Sequence, residues 1–224
     1  MKKIAFASIL LTIVVCVMGS SLAAQPTYMN KKKYNKYEKV LSNGNENVDS
    51  QFTRSAKKVP KEYSIGIGFY SFAKADPNVL WRSGQPLIDE FKWLKQEGCT
   101  SIIDLRKDGE YGEVTIDSLI SGFKETGLKF YNIPIPDGKV PDEKQVIAFL
   151  ELIQKPEVQP ALIHCRSGVG RTSLFAAVYR YSIQGWSMRK AIEESRNFKN
   201  GVNEAQYKFL CKWAKKYPPG SFKK

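Results

Sequence analysis

The sequence predicts an α/β fold: a single domain with a central, mostly parallel twisted sheet flanked by helices on both sides. Three observations carry this. Short apolar runs of strand length alternate with stretches of about ten residues whose apolar positions fall three and four apart, the rhythm of strands and helices in turn. The chain has 224 residues, which suits one ordinary domain. Its composition, 42% hydrophobic and 25% charged, is that of a globular protein and excludes a fibrous or wholly disordered chain.

Each element can be justified in order. Residues 1–24 read as a secretory signal peptide: Lys2 and Lys3, a mostly apolar, uncharged run from Ile4 to Met18, then small residues ending at Ala24. The competing reading is an uncleaved membrane anchor, because the apolar run is only slightly short of a spanning helix. Export would put the protein in the periplasm or outside the cell. Residues 25–60 carry Lys31, Lys32, Lys33, Lys36, Lys39, Lys57 and Lys58 with no sustained apolar period, and read as a flexible basic leader. The folded domain is expected over residues 61–218, with a short tail at 219–224. Tyr63 to Phe72 alternates loosely, as a strand or irregular edge. Val79-Leu80-Trp81 is a short strand ending at Ser83-Gly84. Ile88, Phe91 and Leu94 mark a helix stopped by Gly98. Ser101 to Leu105 is a buried strand, and Ile116, Leu119, Ile120 and Phe123 mark a helix closed by Gly127. Lys129 to Ile135 is a strand, Val146, Phe149, Leu150 and Ile153 line a helix face, and Ala161-Leu162-Ile163 is a strand running into His164-Cys165. Trp186 and Trp213 fall among helical apolar positions and are expected in the core.

Charge and residue usage narrow the function. Lys plus Arg number 35 against 22 Asp plus Glu, a net charge of +13, which favours anionic partners without saying which. Charge alone does not make a nucleic-acid binder. The single histidine, His164, excludes sites that need two or more. Four cysteines are too few for a disulfide-stapled miniprotein. An oxidising compartment would allow Cys99 and Cys211 to pair, leaving Cys165 free.

The chemistry lies in Ile163-His164-Cys165-Arg166-Ser167-Gly168-Val169-Gly170-Arg171-Thr172-Ser173. A buried strand enters a glycine-containing loop, and an apolar helix starts at the loop's end. Backbone N–H groups of such a loop can converge on one anion, and the helix dipole favours negative charge there. Gly168 and Gly170 permit close approach, and Arg171 offers a planar fork for two phosphate oxygens. The same field draws the Cys165 thiol toward thiolate, and Thr172 can donate its hydroxyl to that sulfur. His164 is expected to hold the loop from behind, since neighbours along a strand face opposite sides. Arg166, Ser167, Gly168, Val169 and Gly170 are the expected phosphate cradle.

The pattern His-Cys-x-x-Gly-x-x-Arg-Thr resembles the signature of the cysteine-dependent protein tyrosine phosphatase superfamily, with likeness over most of residues 61–217. The small domain, Leu80-Trp81-Arg82-Ser83-Gly84-Gln85-Pro86 and Ile103-Asp104-Leu105-Arg106 are similar to the atypical dual-specificity branch of bacteria, fungi and plants. The resemblance implies phosphomonoester hydrolysis through a cysteinyl-phosphate, with Cys165 as nucleophile, Arg171 and the loop amides holding the phosphoryl oxygens, and no cofactor or metal. It also implies a general acid on a loop some thirty residues before the cysteine. Asp137, followed by Gly138, is favoured. Asp142 is the alternative, but it has a helix to cap, with Gln145 three residues on. Gly201 to Phe209 looks like the stretch whose glutamine orients the hydrolytic water in tyrosine-specific members. Here Asn203 and Gln206 also make a plain helix cap. Arg82 and Asp104, at strand ends, are expected either to brace the loop or simply to pair with neighbours, and Arg106, Lys107, Lys139 and Arg166 are expected around its mouth.

The implied substrates are phosphotyrosine proteins, with phosphoserine or phosphothreonine proteins beside them. An inositol phosphate or phosphoinositide is the alternative, although basic residues usual in inositol-pyrophosphate enzymes are replaced here by Val169 and Gly170. A catalytically weak phosphate-binding module is the reading from another class.

Overall fold

The computed structural model describes residues 38–47, 71–110, 120, 123–198 and 201–224. The signal-peptide reading, most of the leader, all but the last two residues of the strand or irregular edge read at 63–72, and much of the helix read at 116–123 lie outside the described residues. The described residues form a five-stranded sheet and helices in the order α1 (Glu38–Leu41), β1 (Ala73–Asp76), β2 (Leu80–Ser83), α2 (Ile88–Gln96), β3 (Ser101–Arg106), β4 (Lys129–Ile135), α3 (Glu143–Leu152), β5 (Ala161–His164), α4 (Gly170–Ser182), α5 (Met188–Ser195) and α6 (Glu204–Lys216).

The sheet order is β1-β2-β5-β3-β4. β2, β5, β3 and β4 run parallel, and β1 is an antiparallel edge strand on β2. The mostly parallel sheet is therefore borne out, with β5 at its centre. Successive strand residues face opposite sides. Leu80, Ile103, Leu105 and Ile163 join the core beneath α3, α4, α5 and α6. Trp81, Ile102 and Leu162 join a second core with Phe91 and Leu94 of α2. Helices cover both faces, as expected. Trp186 and Trp213 are buried.

Two expectations need correction. Cys99 belongs to the core on one face of the sheet and Cys211 to the core on the other, and both are free thiols. They do not pair. Burial pushes Cys99 up to about 12 and Cys211 up to about 11, so neither is primed to react. Part of the supposed tether is packed: Leu41 is buried, Asn45 N–H donates to Gly185 O (2.9 Å), and Ser187 N–H donates to Asn45 O (2.9 Å). One apolar side chain with backbone bonds on either side suffices to dock a polar segment. The tail is docked too, with Gly220 N–H on Tyr181 O (2.8 Å), Phe222 N–H on Ser182 O (2.9 Å) and the Phe222 ring stacked on Trp213.

Candidate active site

β5 ends at His164, and its position in mid-sheet fixes where Cys165 emerges. The loop from Cys165 to Val169 then enters α4 at Gly170. Three successive loop carbonyls are held by donors from outside the cavity. Gln85 N–H donates to Arg166 O (2.9 Å), Ser71 Oγ to Ser167 O (2.9 Å), and Arg82 Nη2 to Gly168 O (2.6 Å). In a trans peptide the N–H points opposite to the C=O. Anchoring these carbonyls therefore turns the N–H groups of Ser167, Gly168 and Val169 inward. Val169, at the N-cap of α4, contributes no side-chain cap, so the helix's first N–H groups remain available to an anion.

Gly168 is required by this geometry. Its φ is +70°, and a β-carbon there would stand 2.6 Å from Ser71 Cβ and closer still to Gly84 N. Arg82, 1% exposed, backs the loop, with Nη2 also on Ser173 Oγ (2.9 Å) and its guanidinium 3.5 Å from the centre of the Phe198 ring. Burial pushes Arg82 down to about 9, which leaves a cation behind the loop at neutral pH. Arg82 thus braces the loop, as one of its two expected readings had it.

Cys165 (2% exposed) lies at the floor of a cavity of about 350 Å³, lined by Asp137, Gly138, Cys165, Arg166, Ser167, Gly170, Arg171, Asn203 and Gln206. Of the expected cradle, Arg166, Ser167 and Gly170 line this cavity with the cysteine, the arginine and Asp137, while Gly168 and Val169 do not; both residues of the glutamine-bearing stretch join them. His164 is fully buried, with Nδ1 3.4 Å from Cys165 O and 3.7 Å from Asp104 Oδ1. Burial lowers its pKa, so it is neutral, and it sits behind the loop as expected. Thr172 departs from expectation: its hydroxyl is directed to Ser83 O (3.4 Å), the neighbouring strand end, and makes no bond to the sulfur.

Arg171 is gripped by residues far apart in sequence. Nη1 donates to both oxygens of Glu110 (2.8 and 3.0 Å) and to Ile135 O (2.7 Å), while Nη2 lies 3.3 Å from Asp137 Oδ1. Glu110 Oε1 also accepts the N–H of Asp137 (2.9 Å). One carboxylate therefore fixes both the arginine fork and the aspartate loop. Glu110 was missed in the sequence. Only the position of the Asp-Gly-Glu turn after β3 hinted at it.

The two aspartates separate. Asp137 lines the cavity, in a turn closed by Lys139 N–H on Pro136 O (3.1 Å). Asp142 caps α3, its Oδ1 accepting the N–H of Gln145 (2.8 Å), and does not line the cavity. The basic mouth needs correction. Arg106 is buried and folded back on Asp104 (Nη2–Oδ2 2.9 Å), because residues two apart on β3 share a face. Lys107 and Lys139 are exposed but do not line the cavity, which leaves Arg166 of the four. Among the described residues no cluster of His, Cys, Asp and Glu is suited to hold a metal ion.

A cysteine beneath inward-facing loop amides, closed by an arginine and overlooked by an aspartate, defines the cysteine-dependent dual-specificity phosphatase class. The model of the family described as DSP-PTPase phosphatase fused to NAD+ kinase matches residues 68–211, more than half of the chain, and the chain belongs to that family. It is similar to the dual specificity protein phosphatase TpbA of Pseudomonas aeruginosa, 28% identical over 119 residues, 53% of this chain and 50% of TpbA. It is also similar to the inositol diphosphatase SIW14 of Saccharomyces cerevisiae, 28% identical over 123 residues, 53% of this chain and 42% of SIW14. The match thus spans half or less of these curated relatives. The crystal structure of Tk-PTP in the active form superposes with a TM-score of 0.52 at 26% identity, covering 61% of this chain and 92% of that one.

Proposed function

We propose that this protein hydrolyses phosphomonoesters through a phosphocysteine intermediate. The observation that carries the reading is the convergence of Cys165, the inward loop amides, Arg171 and Asp137 on one cavity. Cys165 Sγ attacks phosphorus, forming the S–P bond as the P–O bond to the leaving group breaks. The loop amides and Arg171 stabilise the equatorial oxygens, and Asp137 gives its proton to the departing oxygen. Asp137 then takes a proton from water, which attacks phosphorus and returns the sulfur as thiolate.

The leading substrate is a phosphotyrosine protein, with phosphoserine or phosphothreonine proteins beside it, in keeping with TpbA's name. A second reading, an inositol phosphate, is favoured by the cavity's lining of amide, hydroxyl and charged groups with no aromatic wall among the described residues. Phosphate release from phosphotyrosine and phosphoserine peptides, inositol hexakisphosphate and phosphoinositides, with Cys165→Ser as blank, tests both. Release that survives in the blank overturns the nucleophile. The residue 1–24 segment supports an exported enzyme, tested by N-terminal sequencing of the protein recovered outside the cytoplasm. Among the described residues no helix is long and apolar enough to cross a membrane.

A further inference from the structure

We propose that Arg82 is the buried counter-charge for the anions of the Cys165 cavity, acting through the phosphate loop on the thiolate and on the bound phosphoryl group. This rests on the phosphatase reading and deepens it. Beyond bracing the loop, Arg82 is a positioning residue that supplies charge from behind.

Four arginines are buried among the described residues, and three of them face a carboxylate. Arg106 Nη2 lies 2.9 Å from Asp104 Oδ2, Arg171 Nη1 2.8 Å from Glu110 Oε2, and Arg180 Nη2 2.7 Å from Glu194 Oε1. Arg82 differs. Its partners are neutral: Gly168 O (2.6 Å), Ser173 Oγ (2.9 Å) and the face of the Phe198 ring. Its Nε bonds to nothing among the described residues, and no carboxylate there is within ion-pairing distance of its guanidinium. A buried cation without an anion is among the costliest groups a fold can hold. An anion that arrives on the other side of the loop would offset that cost.

Two acidic groups act on Arg82 at longer range, Glu194 first and Cys165 second. Glu194 is already held by Arg180, through Nε (2.9 Å) and Nη2 (2.7 Å). Cys165 and its phosphate are what remain. The path to them is one peptide long. Gly168 O, which Arg82 holds, shares its peptide with the Val169 N–H that the anchored carbonyl turns inward. A cation on the carbonyl oxygen makes that N–H a stronger donor, and burial keeps solvent from screening the charge. The cavity needs such a contribution. The charged groups lining it are Asp137, Arg166 and Arg171, and Arg171 already faces two carboxylates, Glu110 and Asp137. His164, behind the sulfur, is neutral.

Two variants of the full-length protein separate charge from bracing. Arg82→Gln keeps an N–H donor without charge, and Arg82→Lys keeps the charge without the fork. The readouts are iodoacetamide labelling of the Cys165 peptide against pH, inhibition by inorganic phosphate, and Tm. Arg82→Gln is expected to move the labelling midpoint up by about one pH unit and to weaken phosphate inhibition by about tenfold. Arg82→Lys is expected to hold both near wild type at pH 7. Equal shifts in the two variants would overturn the proposal, since the fork and not the charge would then matter. Wild-type values in Arg82→Gln would overturn it as well. If Arg82→Gln does not fold, Arg82→Lys decides alone. A buried lysine gives up its proton more readily than arginine, so its phosphate inhibition should weaken more steeply than wild type between pH 7 and 10. A profile parallel to wild type would overturn the proposal. Failure of both variants to fold would overturn it in favour of a brace. A wild-type protein labelled at Cys165 that neither releases nor binds phosphate would overturn the phosphatase reading, and the labelling profiles would still decide the part played by Arg82.

Discussion

At Arg171 the protein spends two acidic side chains and a backbone carbonyl on holding one guanidinium. Nη1 is saturated by Glu110 and Ile135 O, which leaves the other edge of the fork toward Asp137 and the cavity. Glu110→Gln keeps an acceptor for the Asp137 N–H but gives up the ion pair. It is expected to cut kcat/KM by roughly tenfold or more, since a charged hydrogen bond at a buried fork is lost. Steady-state kinetics with wild-type Tm would separate this from unfolding. Asp137→Asn is expected to slow substrates with poor leaving groups by about 100-fold or more, with much less effect on p-nitrophenyl phosphate. Asp142→Asn should leave that dependence unchanged. Cys165, Arg171 and the loop were legible in the sequence because strand, glycines and helix lie within eleven consecutive residues. Glu110 was not, because it is 61 positions from the arginine it holds. Adjacency in sequence is informative about a loop and silent about what folds over it.

The elements show the same division. β3 and β5 were legible because a short buried run of apolar residues stands in each, Ile102-Ile103 and Ala161-Leu162-Ile163. The edge strand β4 was legible because its aromatic and β-branched residues favour a strand. β1 was not. Its sequence, Ala-Lys-Ala-Asp, has weak strand propensity, and it forms through antiparallel pairing with β2. α2 carries a titration that belongs to the fold rather than to catalysis. Glu90 Oε2 accepts the Leu87 N–H (2.6 Å) at the start of α2, and burial raises the Glu90 carboxyl from 4.5 to about 7. Its folded-state pKa exceeds the unfolded value. The associated stability is fully present below about pH 4.5 and is lost as pH rises through about 7. Glu90→Gln, which stays neutral, should therefore match wild type at pH 4.5 and exceed its Tm by roughly 2–4 °C at pH 8. Thermal melts across that range check the sign, and a Tm advantage that shrinks with rising pH would contradict it.

At the scale of the whole molecule, the domain recruits chain from both ends. Leu41 is buried against the α4–α6 layer, and the C-terminal residues pack along α4. The sequence concealed this because a single buried leucine amid lysines and asparagines leaves no periodic trace. Leu41→Ala is expected to cost about 2–4 kcal/mol, as a buried leucine truncation does, measurable by urea unfolding. A cost near zero would mean that the segment rests on the domain without stabilising it. The assembled molecule brings one sulfur, one guanidinium and one carboxyl to a single anion-binding cavity. The most direct test is rapid acid quench of the enzyme during turnover, followed by mass spectrometry of the tryptic peptides. One phosphoryl group on Cys165, accumulating further in Asp137→Ala with a good leaving group, is the expected result. Phosphate on another residue, or turnover that persists in Cys165→Ser, would contradict the mechanism.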